Sequence, residues 1–160
     1  MDPGQALDHL ELTRLLAAYA DAVTRRAWTE LSPLFEPQAP VRVDTVTAPA
    51  RDLVGPGEVG EFIAGAVERF AFFELVVLNL HVELAPGGHP DHARARVLVN
   101  EIRQDHEGEW STTYGVYHDQ YRRAPSGAVF GWRFARRDYQ SLARTGSAAP
   151  FPFPRGFDGA

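Results

Sequence analysis

The sequence predicts an α+β fold, a cone-shaped α+β barrel in which three helices from the N-terminal half pack on a curved, mixed but mostly antiparallel sheet. Apolar residues recur at helical spacing in the first part of the chain, and residues 111–123 alternate with period two. Residues 110–139 are typical of two long strands joined by a turn at Pro125, Ser126 and Gly127. Such a hairpin is not stable alone, so helices or further strands must cover it. Helices followed by an antiparallel meander indicate the α+β class.

Three helices are predicted before residue 74. Residues 6–25 form an amphipathic helix whose apolar face carries Tyr19. Residues 28–35 form a short second helix, which the following Glu36-Pro37 pair ends. Residues 57–72 form a third helix that turns Phe62 inward.

The predicted strands cover the remainder of the domain. They are residues 41–46, a short strand near 53–54, and long strands at 74–84, 93–104, 111–123 and 129–139. The strand at residues 74–84 is apolar on both faces, whereas a strand with one wet face alternates more cleanly. Helices can cover one face, and a second subunit is the simplest cover for the other. The pattern therefore predicts a homodimer formed through the outer sheet face.

Composition narrows the class of protein. The 160 residues suit one domain, predicted at 1–144, followed by a tail at 145–160 that is rich in Pro, Gly and Phe. The net charge of −5 argues against a nucleic-acid partner, and no apolar run is long enough to span a membrane. The chain has no Cys and no Lys, which excludes thiolate sites and lysine Schiff bases. The N-terminus lacks a signal-peptide pattern, so a cytoplasmic location is expected.

Four segments resemble a known family: LLAAYADAVTRRAWTELSPLF, LNLHVEL, YHDQYRR and GWRFARRDYQSLAR. Together they resemble the SnoaL-like domain of the nuclear-transport-factor-2-like superfamily, over roughly residues 6–144. That superfamily includes polyketide cyclases, scytalone dehydratase, ketosteroid isomerase and the β-subunits of ring-hydroxylating dioxygenases. The resemblance implies a cone with an apolar pocket, and several unrelated functions use this fold.

The resemblance also implies catalytic positions. The acid/base positions of the dehydratase-like members hold Thr24, Leu75 and Asn100 here, so that set is missing. The isomerase-like pattern fits better, with Tyr19 as an oxyanion donor and Asp44, within one residue of the expected position, as the base.

Strand parity adds a third catalytic candidate. Asp119 shares a strand face with Tyr117 and is a candidate base if that face lines the cone. The alternatives are an ion pair of Asp119 with Arg137 or Arg133, and a core role for Tyr19 with a satisfied hydroxyl group.

The candidate ligand-binding residues are those expected to face the pocket. They are Asn79, His81, Asn100, Tyr117, Phe62 and Trp132. His81 is equally consistent with a hydrogen-bonded core histidine. The pair His89 and His92 has metal-like spacing but lies in a Gly/Pro turn with no third ligand near it in sequence, so neither a metal nor a cofactor is predicted.

The leading interpretation is a cofactor-independent acid/base enzyme of the cyclase, isomerase or dehydratase type that acts on a polycyclic or enone-like apolar molecule. Two alternatives remain open: a non-catalytic carrier of a small ligand, and a β-subunit-like structural partner of a ring-hydroxylating oxygenase. For the tail two interpretations are open: a disordered end, or a segment whose Phe151, Phe153 and Phe157 pack on a neighbouring subunit or cover the pocket.

Overall fold

A computed structural model describes residues 1–156 and shows two α-helices, two short 3-10 helices and six strands. The helices are α1 (Pro3–Thr24), a first 3-10 helix (Trp28–Leu34), α2 (Gly55–Val67) and a second 3-10 helix (Pro86–Gly88). The strands are β1 (Pro40–Asp44), β2 (Arg51–Val54), β3 (Phe70–Leu84), β4 (His92–Asp105), β5 (Trp110–Arg123) and β6 (Trp132–Arg144).

The six strands form one mixed sheet in the order β2-β1-β6-β5-β4-β3. All neighbours are antiparallel except β1 and β6, which run parallel. The α+β class with helices from the N-terminal half on a mostly antiparallel sheet is confirmed. The sheet is open, with β2 and β3 at its edges, so it wraps the helices without closing into a barrel.

Helix α1 begins with a capping box, in which the Asp2 carboxylate accepts a hydrogen bond of 3.0 Å from the Gln5 backbone N–H. Its apolar face lies on the inner face of the sheet, and Leu12, Leu15 and Tyr19 are almost completely buried. This burial on one face is what the helical spacing of the sequence predicts.

Helix α2 differs from its predicted bounds at both ends. It begins at Gly55, whose φ of +79° favours glycine and whose added Cβ would lie 2.4 Å from the Pro37 carbonyl oxygen. It ends at Val67, so the predicted extension to residue 72 is wrong. Phe70 already pairs with Asp105 of β4, and this strand pairing overrides the apparent helical spacing.

Bulges change which residues face inward along two strands. In β3 the register shifts between Val77 and Asn79, so Leu80 packs against the core while Asn79 faces solvent. In the β5–β6 pair the register shifts twice, near Ala135 and near Leu142 of β6. Each extra residue reverses the side-chain alternation beyond it.

The outer face of the sheet is partly covered by the chain's own tail. The Phe151 N–H donates to the Leu142 carbonyl at 2.7 Å, and the Phe153 ring lies 6.3 Å from the His118 ring, centre to centre. Phe157 lies outside the described residues. Leu78 and Tyr114 remain exposed on this face. The homodimer stays a prediction.

None of the helices within residues 1–156 combines the length and the apolar character that a membrane crossing needs.

Candidate functional site

A cavity of about 350 Å³ lies between the helices and the inner face of the sheet. Its volume is within the range of small-molecule sites. Its walls are mainly apolar, with contributions from α1, β1, β2, α2 and β3. They include Val23, Val41, Val43, Leu53, Val59, Phe62, Ile63, Val67, Phe70, Phe73 and Leu75.

Three tyrosine hydroxyl groups supply polar atoms to this cavity. Tyr19 of α1 and Tyr117 of β5 share a hydrogen bond of 3.4 Å between their hydroxyl oxygens. Tyr139 of β6 lies beside Tyr117, and its hydroxyl group is 3.3 Å from the Ser141 Oγ. Burial raises the pKa of all three phenols, so they stay protonated and able to donate hydrogen bonds at neutral pH.

The cavity also holds one carboxyl group, that of Glu101 on β4. Its side chain is 22% exposed, and its Oε2 lies 3.8 Å from Nη1 of Arg103, which is too long for a hydrogen bond. Burial raises the pKa of Glu101, and the positive charges of Arg103, Arg144 and Arg69 oppose this shift. All three arginines line the same cavity. Glu101 is therefore a desolvated carboxyl group within an arginine cluster.

A second acid–arginine pair lies on the same sheet face and is completely buried. Asp119 accepts hydrogen bonds from Arg137 Nε at 2.8 Å, from Arg137 Nη2 at 3.0 Å and from the Tyr121 hydroxyl at 2.9 Å. The Arg137 guanidinium also lies 4.2 Å from the Tyr19 ring centre and 3.8 Å from that of Tyr117. Burial tends to lower the pKa of Arg137, but Asp119 holds that pKa above its ordinary value. This pair supports the two tyrosines from behind.

Three of the residues singled out in the sequence line the cavity together, namely Tyr19, Tyr117 and Phe62. Asp119 lies behind the cavity rather than in it, bonded to Arg137 as the alternative interpretation proposed.

The other five predicted site residues do not line the cavity. Asp44 follows the inward-facing Val43 and accepts a hydrogen bond from the Val46 N–H at 2.8 Å. The β3 bulge leaves Asn79 and His81 exposed on the opposite face.

Asn100 and Trp132 also lie elsewhere. Asn100 faces outward, where its side-chain oxygen accepts a hydrogen bond from the Thr112 hydroxyl. Trp132 is buried beside the start of α1 and donates to the Asp8 carboxylate at 3.0 Å.

The sequence reasoning missed Glu101, Arg103, Tyr139, Ser141 and Arg144. A signal for the first two exists, because the inward run Ala93, Ala95, Val97 and Val99 continues in odd positions to 101 and 103. No comparable signal exists for Tyr139 and Ser141, since the bulge near Ala135 shifts their parity relative to Trp132 and Phe134; the second bulge, near Leu142, shifts the parity back before Arg144.

Within residues 1–156, no three His, Asp or Glu side chains lie close enough together to hold a metal ion.

Solved structures with similar folds carry related names. A Novosphingobium aromaticivorans protein provisionally named scytalone dehydratase has a TM-score of 0.77 at 20% identity, covering 98% of this chain and 100% of that one. The hexachlorocyclohexane dehydrochlorinase LinA-type3 of Novosphingobium barchaimii has a TM-score of 0.73 at 18% identity, covering 94% and 97%. A provisionally named dehydratase of the NTF2-like family from Streptomyces avermitilis has a TM-score of 0.67 at 19% identity, covering 87% and 99%.

At these identities the likeness establishes the fold alone, and no curated protein matches the chain in sequence. The family assignment comes from the sequence of the chain itself. The SnoaL-like domain matches residues 4–138, which is most of the chain; the match includes all of β4 with Glu101 and the first part of β6, and ends one residue before Tyr139. This protein therefore belongs to the SnoaL-like domain family.

Proposed function

We propose that the cavity is the active site of a cofactor-independent acid/base enzyme that acts on a small, largely apolar molecule of polycyclic or enone-like character. The reaction begins with removal of a proton from a carbon beside an electron-withdrawing group. One observation carries this proposal: Glu101, a carboxyl group with a raised pKa, shares an apolar cavity with the protonated phenols of Tyr19, Tyr117 and Tyr139.

Glu101 is the proposed general base. A carboxylate that has lost part of its hydration is a stronger base than one in water, and a pKa moved toward neutrality suits proton transfer. Arg103 is close enough to favour the ionised form without capturing both carboxylate oxygens. The two other carboxylates considered from the sequence serve less well, because Asp44 faces away from the cavity and Asp119 is bonded to Arg137.

The phenols are the proposed oxyanion donors, the role assigned to Tyr19 from the sequence. When Glu101 takes the proton, the electron pair of the broken C–H bond moves toward a carbonyl oxygen, where a Tyr19 or Tyr139 hydroxyl group stabilises the charge. The carboxylic acid of Glu101 then returns the proton to another carbon, which gives isomerisation. If the adjacent carbon carries a leaving group, the same electron pair expels it, which gives elimination.

The names of the structural neighbours support the elimination branch. A dehydratase removes water from its substrate, and a dehydrochlorinase removes hydrogen chloride. Both names occur among the proteins whose structures are similar to this chain. The acid/base residues expected of dehydratases are absent from their usual positions in this chain. Glu101 on β4 would therefore act as the base from a different position in the same fold.

The test begins with a thermal-shift screen of polycyclic ketones, enones and apolar alcohols or halides. Each compound that binds is incubated in D₂O, and deuterium uptake and product formation are followed by mass spectrometry. Proton removal by Glu101 predicts that Glu101→Gln lowers turnover by about 10²–10⁴-fold while the affinity for a neutral ligand changes little. Tyr139→Phe should lower turnover less, because two other phenols remain.

Glu83→Gln is the matched control, because Glu83 lies on the outer part of β3 and pairs with Arg94 outside the cavity. Wild-type turnover in Glu101→Gln would remove Glu101 as the base. Ligands that bind to the wild-type protein without deuterium uptake or product would favour the carrier alternative.

A further inference from the structure

The cavity contains more positive than negative side chains. Arg69, Arg103 and Arg144 line it with one carboxyl group, that of Glu101. Arg69 is exposed, whereas Arg103 and Arg144 are partly buried, and Glu101 can neutralise only one of these two buried guanidinium charges. A site built only for a neutral hydrocarbon skeleton has no need of such an arrangement, because burying unpaired charge is costly.

The hydrogen bonding of Arg103 leaves donors free. Its shortest approach to a carboxylate oxygen is 3.8 Å, to Glu101, and its guanidinium stacks 5.0 Å from the Phe70 ring centre. Its Nε atom is buried, and no residue of the described chain accepts a hydrogen bond from it. Arg103 therefore has N–H groups available for a bidentate hydrogen-bonded contact with the carboxylate of a ligand.

Arg144 is held in place by neutral groups. It donates to the Thr47 hydroxyl at 3.0 Å, to the Thr45 carbonyl at 2.7 Å and to the Ser141 hydroxyl at 3.3 Å. None of these acceptors carries a charge. The Arg144 Nε atom is also buried and has no acceptor among residues 1–156. The guanidinium is therefore fixed in position while its charge is not neutralised.

The charges act on one another across the cavity. Burial lowers the pKa of Arg103, Glu101 opposes this, and the positive charges of Arg69 and Arg144 add to the lowering. An anion placed beside Arg103 and Arg144 would compensate this repulsion.

We propose that the natural ligand is an apolar molecule that carries one carboxylate, which binds between Arg103 and Arg144 while its skeleton occupies the apolar walls near Phe62 and Ile63. This inference deepens the proposed function, since it assigns the substrate class of the same cavity, but its evidence is a binding preference that needs no turnover.

The test compares two rigid probes of the same shape, 2-naphthoate and 2-naphthamide, by isothermal titration calorimetry at two salt concentrations. The wild-type protein should bind the acid about tenfold or more tightly than the amide, as expected for charge-assisted hydrogen bonds. Arg103→Gln and Arg144→Gln should each reduce this ratio, and Arg103→Lys should retain part of it. Arg122→Gln is the control, since Arg122 is exposed and pairs with Glu36 away from the cavity.

Glu101→Gln separates the two proposals. It removes a negative charge beside the bound carboxylate, so naphthoate binding should tighten while naphthamide binding stays the same. Equal wild-type affinity for the acid and the amide, including no detectable binding of either, would overturn the inference. So would a preference that survives in both Arg103→Gln and Arg144→Gln. A carboxylate preference without any turnover in the substrate screen would uphold the inference and reject the proposed function.

Discussion

Two acid–arginine clusters lie on the inner face of one sheet. In one, the acid and the arginine are hydrogen-bonded to each other and buried, and in the other they are not hydrogen-bonded and line the cavity. In the closed pair, Asp119 and Arg137 make two hydrogen bonds of 2.8 and 3.0 Å, and the two residues are 0% and 1% exposed. In the open cluster, Glu101 and Arg103 are 3.8 Å apart at the wall of the cavity. Similar side chains on neighbouring strands therefore have different relations to solvent and ligand.

The difference separates a structural role from a chemical one. Both oxygens of Asp119 are occupied, by Arg137 and Tyr121, so this carboxylate has little capacity left to bind a ligand. Glu101 has no close donor among residues 1–156, and its pKa is raised, which are features of a group that exchanges protons. Burial alone would favour Asp119 over the proposed base Glu101, because Asp119 is the more buried of the two.

The largest expected effect on stability comes from a substitution that breaks the closed pair of Asp119 and Arg137. Asp119→Asn leaves the Arg137 charge buried without a counter-ion, which should lower the free energy of unfolding by about 3–5 kcal/mol. Denaturant unfolding followed by circular dichroism measures this loss. Asp138→Asn is the control, because its ion pair with Arg136 is at the surface and should contribute about 1 kcal/mol or less. Losses of equal size in the two variants would contradict the structural role of Asp119.

Much of the fold could be predicted because long strands and helices carry strong periodic signals. The pattern placed Tyr19 on the apolar face of α1, and both Tyr19 and Tyr117 line the cavity. Strand parity put Tyr117 and Asp119 on one face of β5 but left open whether that face points inward, and the pairing of Asp119 with Arg137 was one of the alternatives considered.

The candidate site was harder to predict, because an extra residue in a strand has no clear signature in the sequence. The β3 bulge turned Asn79 and His81 outward, and the β6 bulge near Ala135 brought Tyr139 inward. Glu101 is a different case, because the apolar run of β4 at odd positions ends at Val99 and charged residues follow it. Parity places Glu101 on the inward face, but a charged residue at the end of such a run is equally typical of a strand that leaves the core.

A second prediction concerns Tyr139, which lies between the two acid–arginine clusters. Displacing its ring should affect the open cluster and leave the closed pair unchanged. An added Cβ at Gly115 would lie 2.2 Å from a Tyr139 ring atom, so Gly115→Ala must displace this ring. Overpacking of this kind should lower the free energy of unfolding by about 1–3 kcal/mol. Ligand binding at the open cluster should weaken as well, while the Asp119–Arg137 pair stays intact.

Two variants control this prediction. Gly65→Ala on α2 has no neighbour within 4 Å of the added Cβ, so it should stabilise the protein by roughly 0.5–1 kcal/mol. In a Tyr139→Ala background, Gly115→Ala should lose most of its effect, because the clashing ring is gone. An unchanged cost in that background would show that the clash with Tyr139 is not the cause.

The smallest expected effect is the pH dependence of stability that Glu101 contributes. Burial raises its pKa above the ordinary value of 4.5, and Arg103, Arg144 and Arg69 oppose this shift. Tyr139 and Tyr19, which also face it, stay protonated in this range because burial raises their pKa too. Between pH 4.5 and the raised pKa, the folded protein therefore holds a proton that the unfolded chain has released. The contribution of Glu101 to the free energy of unfolding is therefore fully present below pH 4.5. It is lost as the pH rises from 4.5 through the raised pKa of the folded protein.

Urea unfolding of the wild-type protein and of Glu101→Gln, measured in steps from pH 4 to pH 8, isolates this contribution. Subtracting the two free energies of unfolding cancels the titration of all groups that the variants share. The difference should move in favour of Glu101→Gln as the pH rises; the same subtraction with Glu83→Gln, which removes a carboxylate outside the cavity, is the control. A difference that does not change with pH would mean that the arginines balance the effect of burial on the Glu101 pKa, and one that moves toward the wild-type protein would mean that they outweigh it. Glu101 would then be stabilised in its ionised form by neighbouring arginines, as Asp119 is by Arg137, and the two clusters would no longer differ in this respect.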